Sequence, residues 1–299
     1  MPRPERDSSP QGFREQVLQR LRNRARDERV SPQRLQQRVA FERILARLQD
    51  NSAWVLKGGF ALELRYGWTY RPTRDIDLRF GDNVALNELL TTLRSAVASS
   101  GVQDGFAFEF GEVVQELQGA PGGSLRVAVT ARLSGQQFAA FHIDLSLGDA
   151  LVGEPDVLQG SDLLEFANIP PVRFPVYPVA QHLAEKLHAY SLPRDQPNTR
   201  VKDLVDMVAM AAIDEVDADA LAQSVEATFS ARGTHPVPQG LPDPPSAWGR
   251  QYARLAGESP TAPTLELAEA VQFARALWDP LLGGGAAGRR WHPDAHQWT

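Results

Sequence analysis

Two aspartates one residue apart, Asp75 and Asp77, stand in the run DIDLRF among alternating apolar residues. Alternation is the period of a β-strand, so both carboxylates emerge on one face while Ile76, Leu78 and Phe80 take the other. Such a pair suits Mg2+, a hard cation that combines carboxylates with substrate phosphates. An amphipathic strand whose acids pair with Arg74 or Arg79 has the same pattern, and Arg79 shares the aspartate face, so D-x-D alone is a weak signal. A second alternating run, FHIDLSLGD, carries Asp144 between Ile143 and Leu145. Three aspartates on two strands would form a two-metal phosphoryl-transfer centre, with ions roughly 3.5 to 4 Å apart. The plainer alternative is that Asp144 or Asp149 caps a turn; Asp149 reads as the turn residue and Asp144 as the strand one.

Upstream, Gly58 and Gly59 open a helical run. Backbone N–H groups at a glycine turn and helix N-terminus attract anions, and the missing Cβ lets a triphosphate approach closely. A glycine pair alone is only a turn; followed by a D-x-D strand it is more specific. The chain has only three lysines: Lys57 abuts the glycine pair, Lys186 lies in the later run AEKLHAY and Lys202 in VKDLVD, each a candidate motif. An ammonium is a point-charge partner for phosphate, so the coincidence favours function.

These residues need elements to position them. AWVLKGG reads as a short strand entering the glycine turn, FALELRYG as the helix after it, and DIDLRF as the next strand. Before them, residues 1–50 read as two helices, with Ser31 and Pro32 as N-cap and first-turn proline of the second. Further strands are expected over 106–117, 125–133 and 138–147, divided by the turn signals QGAPGG and SGQQ, with a helix over 86–98 packed on the sheet. After about residue 150 the pattern turns helical in PVAQHLAEKLHAY, TRVKDLVDMVAMAAI, ADALAQSVEATFSA and LELAEAVQFARALWDPLL. The proline-rich THPVPQGLPDPPSAW cannot be helix, and GGGAAGRR is expected to be flexible. The fold class is therefore α/β (α+β): a mixed sheet with flanking helices, then a largely helical C-terminal half. The expected division is 1–50, a helical preface; 51–150, the core with the D-x-D strand; and 151–299, a mainly helical domain carrying Lys186 and KDLVD.

Composition narrows the function. With no cysteine, disulfides, thiolate metal sites and cysteine nucleophiles are excluded. No stretch approaches about 18 uninterrupted apolar residues, and the charged, Arg-rich N-terminus lacks a signal peptide's apolar core, so a cytoplasmic protein with no membrane partner is expected. A net charge of −6 argues against a surface coated for gripping duplex DNA. Against that balance, the segment from Arg14 to Arg38 carries Arg20, Arg22, Arg24, Arg26, Arg29 and Arg34, opposed by Glu15, Asp27 and Glu28. The run is either a solvated helix face or an RNA-contacting arm. His182, His188 and His235 receive no role, because a helix histidine is more often packed than catalytic.

The run LKGGFALELRYGWTYRPTRDIDLRF, then AEKLHAY, TRVKDLVDM and FSARGTHPVPQGLPDPPSAW, resembles the AbiEii/AbiGii-type nucleotidyltransferase-like toxins, MenT toxins included, over most of the chain. The resemblance implies the nucleotidyltransferase fold of the DNA polymerase β-like superfamily and a toxin of a toxin–antitoxin or phage-defence system with a cognate antitoxin. It implies an enzyme that uses Mg2+ and an NTP and transfers NMP to an RNA acceptor, the tRNA 3′ end, as some MenT members do. By motif it implies that Gly58 and Gly59 cradle the phosphates, that Asp75 and Asp77 bind Mg2+, and that Lys186 contacts the triphosphate; Lys57 at the phosphates and Asp144 as a further metal ligand are expectations from the residues themselves. The resemblance implies further that Asp203 or Asp206 completes the site. These two are three apart and share a helix face, so spacing does not choose between them; Asp203, next to Lys202, is the first choice. Thr73 matches a position at which some relatives are phosphorylated by a kinase-like antitoxin; otherwise it is a turn residue after Pro72. Phe60 departs from the family, which usually has a hydroxyl there, so nucleotide affinity or preference is expected to differ. Two other readings stay open: nucleotidyl transfer to a protein or small molecule, and a catalytically silent module that binds an antitoxin or RNA.

Overall fold

The computed structural model describes residues 9–67, 70–81, 84–117, 120–195, 198–259, 262–264 and 266–299. Gln118 and Gly119 of the expected QGAPGG turn, and Leu265 at the head of the last expected helix, lie outside them. The chain divides into two compact units, Met1–Leu64 with Pro72–Leu147 and Val157–Val176, and Arg65–Arg71 with Gly148–Asp156 and Tyr177–Thr299.

The first unit is built on a seven-stranded mixed sheet of order β3-β4-β5-β2-β1-β7-β6. Its strands are β1 (Trp54–Lys57), β2 (Asp75–Phe80), β3 (Phe106–Leu117), β4 (Ser124–Leu133), β5 (Gln136–Leu147), β6 (Asp156–Gln159) and β7 (Arg173–Val176). β3, β4 and β5 form an antiparallel meander, β5 pairs parallel with β2, β2 antiparallel with β1, and β1 parallel with β7. Ile76, Leu78 and Phe80 of β2 are buried while Asp75, Asp77 and Arg79 are half-buried, the alternation expected of a strand with one face in the core. Helices α1 (Pro10–Asp27), α2 (Pro32–Leu45) and α4 (Leu86–Ser99) accompany the sheet, with α1 on α2, α2 on β5 and α4 on β4. Ser31 caps α2 as its type and place predict, accepting from the Arg34 N–H at 3.1 Å. α2 is buried nearly all round, and its buried arginines are matched internally: Arg38 pairs with Glu42 at 2.8 Å, and Arg43, joined by Arg47 just past the helix end, converges on Asp104 at 2.7 and 2.8 Å. Phe41 stacks edge-on against Phe60 and Phe141, joining α2, helix α3 (Gly58–Tyr66) and β5 in one core.

The second unit holds α5 (Val179–Ser191), α6 (Val201–Ala211), α7 (Ala218–Arg232), α8 (Gly249–Gly257) and α9 (Leu267–Leu282). α6 is its hub: it packs on α5, α8 and α9, and every residue except Lys202 is buried. A small sheet of order β10-β9-β8, made of β8 (Val216–Asp217), β9 (Arg290–His292) and β10 (Gln297–Trp298), closes the chain. The glycine-rich segment expected to be flexible is a folded turn: the Gly285 N–H donates to Pro280 O at 2.8 Å and Ala286 is fully buried. It returns the chain so that Trp291 donates from Nε1 to Ala211 O at 2.7 Å, satisfying a carbonyl at the end of α6. No helix among the described residues is long and apolar enough to cross a membrane.

Candidate active site

The residues singled out from sequence fall into two clusters, one within each unit. In the first, strand register does the assembling. Arg126 on β4 lies opposite Asp144 on β5, Asp144 beside Asp77 on β2, and Asp77 opposite Lys57 on β1. Directly registered residues share a sheet face, so this is one row across four strands with charges plus, minus, minus, plus. Asp75 sits in a neighbouring row opposite His142, whose Nδ1 is 3.6 Å from Asp75 Oδ1. Arg126 grips Asp144 with both ends of its fork, Nε to Oδ1 and Nη2 to Oδ2 each at 2.7 Å, and Nη2 also reaches Asp75 Oδ2 at 3.3 Å. The hydrogen bond to Asp144 and the surrounding carboxylates push the Arg126 pKa further above its ordinary value.

Glycine at 58 is required by its backbone angle and by its packing. Gly58 has φ +67°, and a Cβ placed there would lie 2.0 Å from Asp77 Oδ2. The backbone that begins α3 therefore packs directly against one of the two strand carboxylates, an approach only glycine permits. The turn entering β2 is tied down as well. Glu63 Oε2 accepts from the Thr73 N–H at 3.3 Å, Gln37 donates to Arg74 O at 3.0 Å, and the Thr73 hydroxyl donates to Asp75 O at 3.3 Å. Burial raises the Glu63 pKa despite the neighbouring Arg34 and Arg38 guanidiniums. Arg34 is thus committed to Glu63, at 3.3 Å, whereas Arg22 and Arg26 on α1 and Arg29 in the turn after it are exposed and form no ion pair among the described residues. Phe60 is 1% exposed and points into the aromatic core against Phe41.

Two half-exposed carboxylates on one strand face, with a glycine backbone against one of them, fit a hard divalent cation whose remaining ligands come from water and substrate. Among the described residues no group of three or more His, Cys, Asp or Glu side chains is arranged to hold a metal ion. The pair that fits is Asp75 with Asp77.

The second cluster surrounds α5 and α6. Lys186 Nζ bridges Asp203 Oδ1 at 3.0 Å and Asp206 Oδ2 at 2.7 Å. Asp206, fully buried, also accepts from Arg71 Nε at 2.8 Å, from Arg71 Nη2 at 2.7 Å and from the Tyr70 hydroxyl. Burial alone would raise its pKa, but Arg71 and Lys186 hold it well below the usual carboxylate range. Burial works against the Lys186 charge too, and Asp206 and Asp203 more than offset it, raising that pKa. The two acids, equivalent by spacing, differ here: Asp206 is saturated, while Asp203 Oδ2 accepts no hydrogen bond among the described residues and lies 3.7 Å from Arg200 Nη1. Arg71 and Tyr70 are the members sequence reasoning did not reach. Nearby in sequence, His188 Nε2 contacts Thr234 Oγ1 at 2.9 Å, and burial, with Arg232 and His235 adding to it, pushes its pKa down to about 4.

The family profile described as "Nucleotidyl transferase AbiEii toxin, Type IV TA system" matches residues 40–279. Among solved structures, MenT4, a nucleotidyltransferase toxin from Mycobacterium tuberculosis, is similar at 20% identity over 88% of this chain and 93% of its own, with a TM-score of 0.52. A candidate nucleotidyltransferase from H. pylori is similar at 16% identity over 86% of this chain and 94% of its own, with a TM-score of 0.45. No curated protein matches by sequence. The likeness to MenT4 lies in the fold, and the profile spans the charged sheet row together with the helices bearing Lys186, Asp203 and Asp206: the chain belongs to the AbiEii nucleotidyl transferase toxin family of type IV toxin–antitoxin systems.

Proposed function

We propose that the chain, acting in the cytoplasm and restrained by a cognate antitoxin, transfers NMP from an NTP to the 3′ end of an RNA, a tRNA, in a Mg2+-dependent reaction. The observation that carries this reading is the D-x-D pair opening on one sheet face with the Gly58 backbone packed against Asp77. Asp75 and Asp77 would hold Mg2+, which when bound neutralises phosphate charge during transfer. The N–H groups of Gly58 and Gly59 at the start of α3 would receive phosphate oxygens, with Lys57 beside them. By the family's motif, Lys186 would contribute a point charge to phosphate and Asp203 an acid; within their own unit Lys186 is held by Asp206 at 2.7 Å, and Asp203 Oδ2 accepts no hydrogen bond among the described residues. The acceptor hydroxyl attacks the α-phosphorus and pyrophosphate leaves.

An RNA acceptor is supported by the exposed arginines of α1, which run against a net charge of −6. That same acidity favours the second reading, a protein or small-molecule acceptor. Phosphorylation of Thr73 would add about two negative charges beside Asp75 and repel both metal and triphosphate. The test incubates each α-labelled NTP and Mg2+ with total RNA, protein and metabolite pools, using wild type, Asp75→Ala and Lys186→Ala. The expected result is label in RNA with wild type only. Label in protein or metabolites would transfer the assignment to the second reading, and no NTP consumed would point to a silent binding module.

A further inference from the structure

The charged sheet face holds one group that the reading above does not employ, the Arg126 guanidinium. Its grip on Asp144 is bidentate and charge-assisted, with both contacts at 2.7 Å, the strongest geometry available to such a pair. Asp144 is 16% exposed at its side chain against 31% for Arg126, so the acid is covered and the guanidinium is the part that faces outward. Nη2 extends to Asp75 at 3.3 Å, and Nη1 has no hydrogen-bond partner among the described residues. For Asp144 to ligate a metal ion, that pair would have to break and a divalent cation would have to settle beside a displaced guanidinium. Charge points the same way: Asp75, Asp77 and Asp144 against Lys57, Arg126 and Arg79 of the same sheet face leave the patch neutral. One divalent ion makes it positive and complementary to polyphosphate, while a second would stack further like charge beside Arg126.

We infer that Asp144 is the anchor of Arg126 and not a metal ligand, that Asp75 and Asp77 alone hold one divalent ion, and that Arg126 serves as the second positive charge, presented to substrate phosphate. This rests on the nucleotidyl-transfer reading. The guanidinium suits the task because its planar fork can hold a carboxylate on one edge and offer N–H groups to phosphate on another.

The test titrates Mn2+ into the full chain without nucleotide, by calorimetry and by the electron paramagnetic resonance of free Mn2+, and then adds inorganic triphosphate. The proteins are wild type, Arg126→Met, the double variant Arg126→Met with Asp144→Asn, and Asp75→Asn, each checked for an unchanged melting curve. Wild type should bind one ion. Arg126→Met should bind Mn2+ about tenfold more tightly, because a cation beside Asp75 is gone, and should gain a second ion at the freed Asp144. Its triphosphate affinity should nonetheless fall about tenfold, the loss of one charged contact. The double variant should keep one ion. Two ions in wild type, or loss of the ion from a folded double variant, would overturn the inference by making Asp144 a ligand. Absence of Mn2+ binding from every folded protein would overturn the metal-dependent reading itself, and this inference with it.

Discussion

Replacing Gly58 with alanine separates two demands that the structure places on one residue. The first is conformational: φ is +67°, where a residue with a Cβ costs about 1–2 kcal/mol. The second is spatial, because the new Cβ would stand 2.0 Å from Asp77 Oδ2, well inside any real carbon–oxygen contact. The carboxylate would have to move by about 1 Å or more, and a misplacement of that size at a reacting centre costs on the order of 100-fold in rate. Gly101 supplies the control, with φ +66° and nothing within 4 Å of its virtual Cβ. Chemical denaturation should therefore show Gly101→Ala losing only the conformational cost of about 1–2 kcal/mol and Gly58→Ala losing more, because its Cβ also meets Asp77 Cβ at 2.9 Å. Mn2+ titration and nucleotide transfer should separate them, with Gly58→Ala weakened and Gly101→Ala like wild type. Equal metal binding and equal transfer in the two variants would refute the claim that Gly58 exists to admit the Asp77 carboxylate.

Asp206→Ala should cost about 3–5 kcal/mol in urea unfolding, since it strands the buried Arg71 and Lys186 charges. Because the Asp206 pKa is depressed, its contribution is present above the unfolded value of about 3.9 and fades as pH falls below it, so the gap between variant and wild type should narrow in acid. His188, held neutral with a pKa of about 4, should make the fold lose up to about 3 kcal/mol as pH falls from 6.5 toward 4, a slope that His188→Gln flattens. Phe60→Ser should not improve NTP affinity by restoring a hydroxyl; it should cost about 3–5 kcal/mol of stability, because the ring fills the core against Phe41. Glutamine at Arg22, Arg26 and Arg29 together should weaken RNA binding alike for all sequences and make its salt dependence shallower by about two in the log–log slope.

Much of the sheet was readable because its local rules agree. Alternation in 106–117, 125–133 and 138–147 marks three strands, the last two starting one and two residues earlier in the structure, and the Gly58 turn between Lys57 and α3 follows from a strand meeting a glycine pair. What could not be read is whatever depends on register. That Asp144 lies beside Asp77 comes from the parallel pairing of β2 with β5, strands about 60 residues apart in sequence with no local signal joining them. Arg126 was missed for the same reason: the pattern Leu125-Arg126-Val127 places it on a polar strand face, and only the antiparallel register aims it at Asp144. The short strands β6 and β7 escaped because four residues offer too little period to detect, and neither has the apolar run into a glycine pair that marks β1, which is equally short. The arginines of α2 misled by composition, since a charge run read as surface or RNA contact contains Arg34, which a buried glutamate has already claimed. Between Asp203 and Asp206 helix periodicity is blind, and the difference arises from Tyr70 and Arg71, which reach α6 from a distant part of the chain.

The most direct test of the account follows the two ends of the triphosphate. Purified protein, Mg2+ and deproteinised tRNA are incubated with each NTP labelled at the α-phosphate in one series and at the γ-phosphate in another, with chelator and Asp75→Asn as controls. The account predicts that α-label enters the RNA 3′ end while γ-label is released as pyrophosphate, and that chelator or Asp75→Asn abolishes both. RNA that acquires γ-label, or transfer that survives in folded Asp75→Asn, would contradict it.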